Sequence, residues 1–153
     1  MKIVGLISDT HGLLRPEAVA ALQGSETIIH AGDVGHPDVL EQLQSICPVV
    51  AVRGNVDTAR WAENLPLWSV VRAGDLQIYI VHKIQDFSQA HAGQDIDIVV
   101  SGHSHRPSEQ RTDGILYLNP GSAGPHRFRL PITVGLLEID NKFAQFRLIE
   151  IAS

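Results

Sequence analysis

The sequence predicts one α/β domain, with a βαβ-type first half and a more antiparallel second half. Two observations lead there. Between Ile3 and Val52 three apolar runs alternate with two amphipathic helical patterns, the order of βαβ crossovers and therefore of a parallel sheet. From Trp68 onward, short apolar runs are separated by turn residues such as Gly74-Asp75, Asp113-Gly114, Asn119-Pro120-Gly121 and Asp140-Asn141, the punctuation expected of hairpins.

Each element has its own justification. Ile3 to Ile7 is an apolar run that ends abruptly in Ser8-Asp9-Thr10-His11-Gly12, and it reads as a buried strand. Pro16 to Leu22 reads as a helix, with Pro16 tolerated in its first turn and Gly24 as the stop. Thr27 to His30 is a second strand, running into Ala31-Gly32-Asp33. Pro37 to Ser45 is a second helix, with Val39, Leu40 and Leu43 on one face. Pro48 to Val52 is a third strand, ending in Arg53-Gly54-Asn55-Val56-Asp57. Trp68–Val71 and Leu76–His82 flank Gly74-Asp75 as a hairpin. A short helical piece across Asp86–Ala92 leads into a strand at Ile96–Val100, which ends in Ser101-Gly102-His103-Ser104-His105. Val134–Ile139 and Phe143–Ile151 form a closing antiparallel hairpin. No internal repeat, low-complexity segment or linker interrupts residues 1–153, which read as a single domain.

Composition bounds the function. The 153 residues are 44% hydrophobic and 19% charged, as in an ordinary soluble globular protein. Net charge is −5, and the 12 basic residues form no tract. That argues against a nucleic-acid partner but allows a small phosphorylated substrate. The one cysteine, Cys47, reads as a buried inert thiol; it excludes an intrachain disulfide and suits a reducing cytosol. No signal segment follows Met1 and no apolar run approaches the ~18 residues of a membrane span. A cytoplasmic protein without a membrane partner is expected; a homo-oligomer is allowed.

Potential ligands stand at the ends of the apolar strands: Asp9 and His11, then Asp33, Asn55, His82, and finally His103 with His105. Strand-end loops are where open α/β sheets gather ligands. Seven oxygen and nitrogen donors exceed the needs of one metal ion but suit two adjacent ions sharing a carboxylate. Asp33, on a tight glycine-preceded turn, is the natural bridge. Asp9, His11 and one of His103 and His105 complete one site; Asn55, His82 and the other histidine complete the second. Such a pair of ions activates a bridging hydroxide for in-line attack and clamps the reacting oxygens. Mixed Asp, Asn and His ligation favours transition metals, Mn2+ first and Fe, Zn, Co or Ni after it, over Mg2+ or Ca2+. Asp33, Asn55 and His82 are the expected catalytic residues.

Asp9-x-His11, Gly32-Asp33, Gly54-Asn55-x-Asp57, His82 and Gly102-His103-x-His105 resemble the signature of calcineurin-like metallophosphoesterases. The Asn119-Pro120-Gly121-Ser122 stretch, the small size and the lack of a cap insertion look most like the small bacterial and archaeal phosphodiesterases. The resemblance implies a four-layer sandwich, two packed mixed β-sheets flanked by helices, and a dinuclear phosphoesterase acting on diesters or monoesters. It assigns His105 to the site with Asp9 and His11, and His103 to the site with Asn55 and His82. It also brings an alternative, because the same fold serves as a non-catalytic scaffold for protein partners in the retromer complex. Two departures stand out: Lys83 replaces the glycine usual after the histidine, and Val56 replaces the histidine that many relatives carry two residues after the motif glycine.

Other residues are open between roles. His30 and Asp57 either support the site or serve the fold. Arg53, Arg106 and Arg127 lie beside motif loops, with solvated surface positions the simpler reading. His36, His91 and His126 are expected at the surface, and Trp61 and Trp68 in the core or in a self-association patch.

Overall fold

The computed structural model describes residues 1–127 and 129–152. Among them, β1 (Lys2–Ile7), β2 (Thr27–His30), β3 (Val49–Ala51), β9 (Ile132–Asp140) and β10 (Phe143–Ala152) form one sheet in the order β10-β9-β1-β2-β3. The second sheet contains β4 (Trp68–Ala73), β5 (Leu76–Val81), β6 (Ile98–Val100), β7 (Ser108–Thr112) and β8 (Ile115–Asn119), ordered β4-β5-β6-β8-β7.

Side-chain alternation decides the layering. Successive residues of a strand face opposite sides, and here both sides are apolar. Leu6, Ile29 and Leu137 meet Ile78, Ile80, Val100 and Leu118 between the sheets. Their neighbours Ile7, Ile28 and Leu136 turn the other way, onto Leu22, Val39 and Leu43 of the helical layer. On the far side, Tyr79, Val81 and Val99 turn outward beneath Phe87 and Ala92. The result is four layers: α1 (Pro16–Ala21) and α2 (Pro37–Gln44), two mixed sheets, and a thin cover from the 3-10 turn Ile84–Asp86 and α3 (Gln89–Ala92). The α/β sandwich expected from the sequence is thus the fold. Both long helices open on proline, and the His36 ring at the start of α2 accepts a hydrogen bond from the Asp38 N–H at 3.1 Å. Among the described residues no helix is long and apolar enough to cross a membrane.

The second half is less antiparallel than its turns suggested. β5 pairs with β6, and β6 with β8, in parallel; β4–β5 and β7–β8 are the hairpins. Gly74-Asp75 and Asp113-Gly114 make tight hairpins at the two sheet edges, whereas the longer connections between β5, β6 and β8 leave room for crossovers. The closing hairpin also joins the first-half sheet: β9 runs antiparallel to β1, from Lys2 opposite Ile139 to Leu6 opposite Gly135.

This topology brings the motif loops together. The Asp9 N–H donates to Gly32 O at 3.0 Å, and His11 N–H to Asp33 O at 2.9 Å, joining the β1 and β2 loops. The Gly102 N–H donates to His82 O at 2.9 Å, joining the β5 and β6 loops, and Ala123 N–H reaches Ser8 O at 3.0 Å.

Candidate metal centre

Asp9 heads the cluster. It is fully buried, and its Oδ2 accepts from the Ser8 hydroxyl at 2.6 Å and the His103 N–H at 3.1 Å. Those bonds leave Oδ1 aimed at three imidazoles, with Nε2 of His105 at 3.4 Å, His82 at 3.9 Å and His11 at 4.0 Å. Asp33 faces them from the β2 loop. Its Oδ1 accepts from the Val56 N–H at 3.0 Å, while Oδ2 lies 3.2 Å from His82 Nε2 and 3.7 Å from His11 Nε2. Each carboxylate therefore touches histidines of both expected sites, so Asp9 as well as Asp33 spans the cluster.

Two sets of donor atoms, each within 4.8 Å of one another, emerge: Asp9, His11 and His105, and Asp33, His82 and His103. The rings pair in the same way, with centroids of His11 and His105 5.4 Å apart and those of His82 and His103 5.2 Å apart. Asn55 stands exposed on the β3 loop, where it lines a cleft together with His82. Six of the seven residues nominated from sequence are thus gathered, and the seventh borders them.

The donor chemistry fits cations. Asp9 Oδ1, His11 Nε2, His82 Nε2 and His105 Nδ1 are buried with no hydrogen-bond partner among the described residues, a costly state for polar atoms in a protein interior. His82 Nδ1 faces Ala31 O at 2.8 Å, and a carbonyl only accepts. Nδ1 therefore carries the proton, and in the neutral ring Nε2 turns a lone pair toward the Asp33 carboxylate. Two acceptors at 3.2 Å need a cation or proton between them. Titration agrees. Burial alone raises the Asp33 pKa, but the proton that His82 can place against it, the Val56 N–H and the neighbouring imidazoles hold it well below the usual carboxylate range. Burial works against charge on His82, yet the facing Asp33 carboxylate, which a proton on Nε2 would bond, and the Asp9 charge outweigh it and raise its pKa. At His11 burial prevails over both carboxylates, with Arg127 adding to the lowering.

The backbone is bent to hold these groups. Asp9, His11, Asp33, His103 and His105 all have positive φ, between 48° and 71°. Among the described non-glycine residues, the only others are Asp113 and Asn141, both in hairpin turns. Such conformations cost ~1–3 kcal/mol each and persist where surroundings fix them. The motif glycines permit the close packing. A Cβ on Gly54 would collide with the Asp33 N and Oδ1, and one on Gly102 with the Ser8 hydroxyl.

Three supporting residues were underrated by the sequence. His30 is fully buried; its Nδ1 accepts from the Gly32 N–H at 3.1 Å, so Nε2 donates to Thr10 Oγ1 at 3.0 Å, and Thr10 donates to Val34 O at 2.8 Å. Asp57, left open between supporting the site and capping a turn, accepts from the Val34, Gly35 and Gly54 N–H groups and stitches the Asp33 loop to the Asn55 loop. Asn119 donates to Gly102 O at 3.1 Å and Ser104 Oγ at 3.2 Å, and accepts from Gly121 N–H, bracing the His103–His105 loop. Arg53 lines the cleft beside Asn55, whereas Arg106 and Arg127 are exposed. His36, His91 and His126 are exposed. Trp61 packs against the helical face, and Cys47 there is half-buried rather than buried.

Burial pushes the His30 pKa down to about 4 from 6.5. The unfolded chain therefore takes up this proton first, and stability falls as pH drops from 6.5 to about 4. The full loss is about 3 kcal/mol. Denaturant unfolding of the metal-free chain across this window, compared with His30→Gln, should show the gap between the two narrowing toward low pH.

Comparison with known proteins gives the geometry its setting. The calcineurin-like phosphoesterase superfamily domain matches residues 1–142. A probable metallophosphoesterase of Methanothermobacter thermautotrophicus is 32% identical, over 92% of this chain and 87% of its own. A phosphodiesterase of Methanocaldococcus jannaschii is 27% identical, over 91% of this chain and 94% of its own. In structure, Vps29 of Chaetomium thermophilum superposes with a TM-score of 0.79 at 21% identity, over 99% of this chain and 97% of that one. With the family's domain spanning nearly its whole length, this chain belongs to the calcineurin-like phosphoesterase superfamily.

Proposed function

We propose that the chain is a metal-dependent phosphodiesterase that binds two divalent transition-metal ions, with Mn2+ the first choice. Asp9, His11 and His105 would hold one ion, and Asn55, His82 and His103 the other, with Asp33 between them. The observation that carries this reading is the cluster of unpaired buried donors around two carboxylates. Ions held there supply Lewis-acid activation of a water and charge neutralisation at phosphoryl oxygens.

The chain's own groups do the positioning. Ser8 and the His103 N–H fix the Asp9 carboxylate, and the Ser122 hydroxyl, donating to the Asp9 backbone O at 3.1 Å, holds the main chain there. Ala31 O fixes the His82 tautomer. Arg53 and Lys83 bring positive charge to the cleft beside Asn55 and His82. A diester fits best, because two clefts flank the 3-10 turn after His82. One, of about 410 Å3, includes His103, Ile84 and Gln85. The other, of about 520 Å3, includes His82, Lys83 and Asp86. Two ester arms on one phosphorus need two such spaces. Residues 1–153 would act as one unit with no cap over the site.

The scaffold reading stays as the alternative; the likeness to Vps29 concerns the fold alone, and here all seven nominated donors are present. The test is hydrolysis of a panel of phosphodiesters and phosphomonoesters after chelation, with Mn2+, Zn2+, Co2+, Ni2+ or Fe2+ restored separately. Diester turnover that vanishes on chelation and returns with a metal supports the reading. Equal, metal-independent inactivity on every substrate supports the scaffold.

A further inference from the structure

Large apolar side chains gather where a polar phosphate site gives them no obvious purpose. Leu67 is 60% exposed, Val56 48%, Ile84 43% and Trp68 36%, and all four stand on segments bordering the two clefts or the Asn55 loop. Exposed apolar groups clustered beside a polar site mark a place that binds something apolar. The cleft of about 520 Å3 concentrates them. Its lining joins the apolar Leu67, Trp68 and Val81 to Asn55 and His82, both candidate metal ligands. Arg53 and Lys83 add two cations against one carboxylate, Asp86, and Lys83 makes no ion pair among the described residues. The wall is rigid. Trp68 stacks on the buried Tyr79 ring at 5.3 Å and 5°, and lies nearly parallel to His91 at 6.0 Å and 16°. Tyr79 in turn meets Phe87 edge-on at 4.8 Å.

We propose that this cleft is the subsite for one ester arm of the substrate, and that it takes a flat aromatic group while Arg53 and Lys83 face the phosphoryl end. The argument is continuity and complementarity. One cleft holds two candidate ligands, the cations Arg53 and Lys83 close to them in the chain, and a preformed aromatic and aliphatic lining. A rigid wall loses little entropy on binding, and aromatic groups pack on it edge-on or offset. The inference rests on the phosphodiesterase reading and names its substrate class: diesters with at least one aryl or similarly flat arm.

Phenylphosphonate and methylphosphonate, neither hydrolysable at its P–C bond, separate the two levels. Calorimetric titration of the Mn2+-loaded full chain should show phenylphosphonate binding at least about tenfold more tightly than methylphosphonate, the scale of burying a ring in an apolar cleft. Trp68→Leu should erase that preference. Leu67→Gln, at a position too exposed to be needed for folding, should reduce it as well, and both should leave methylphosphonate affinity unchanged. Binding of both phosphonates with equal affinity, or a phenyl preference that survives both substitutions, overturns the inference while leaving the phosphodiesterase reading intact. Failure of both phosphonates to bind overturns both. A change of oligomeric state in Leu67→Gln without any phenyl preference overturns the inference alone and makes the wall a contact between copies.

Discussion

Asp33→Asn is expected to reduce diester hydrolysis by far more than ~100-fold at saturating metal, where a residue that merely supports a ligand costs ~10–100-fold. The difference comes from position. Asp33 Oδ2 faces His82 and His11 from the two donor sets, so removing its charge weakens both. An asparagine keeps the shape and can still accept the Val56 N–H, so the loss is not one of folding. Asp9→Asn should match it, because Asp9 Oδ1 also faces three imidazoles. His30→Gln, whose effect passes through Thr10 and Gly32, should fall in the ~10–100-fold range. Steady-state rates across a metal titration make the comparison, and Asp33→Asn retaining activity within tenfold of His30→Gln would put the centre of the site elsewhere.

The second large effect concerns the leaving group. Val56 stands 48% exposed beside Asp33 and offers the site only its backbone N–H. A valine side chain cannot protonate a departing alkoxide, and general acid catalysis typically contributes ~10²–10⁴-fold. Diesters of substituted phenols, which keep the aromatic ring constant and vary only its acidity, should therefore show log kcat falling steeply with leaving-group pKa. Alkyl diesters should be slower still. Val56→His should flatten the slope and raise the rates of the most basic leaving groups most. Because the backbone N–H remains, the Asp33 bond survives the substitution. A flat line in the unmodified chain would mean that a proton donor is already present.

The strands and the metal-ligand loops were legible in the sequence for a local reason. Runs such as Ile3–Ile7 and Ile98–Val100 are apolar on both faces, as buried central strands must be, and each ends in polar residues that have no place in a core. What the sequence did not show is non-local. The parallel pairing of β5, β6 and β8 depends on where the intervening loops cross, and hairpin turns at the sheet edges masked it. Asn119 looked like a turn residue, and Asp57 stood open between a turn cap and a site support, because such residues usually face water. Only the folded chain shows Asp57 taking three backbone N–H groups from two loops, and Asn119 bracing the histidine loop. His30 was ambiguous for the opposite reason: a histidine ending a strand is common, and its burial depends on loops distant in sequence. The double role of Asp9 also escaped, since the bridge was expected at Asp33 alone.

The central claim is that this chain holds two metal ions between its two carboxylates. Elemental analysis of the purified protein, joined to calorimetric titration of Mn2+ or Zn2+ into the chelated full chain, tests it most directly. The account predicts two tightly bound equivalents per chain, loss of both in Asp33→Asn, and loss of one in Asn55→Ala. A single equivalent in the unsubstituted chain, or two equivalents undiminished in Asp33→Asn, would contradict it.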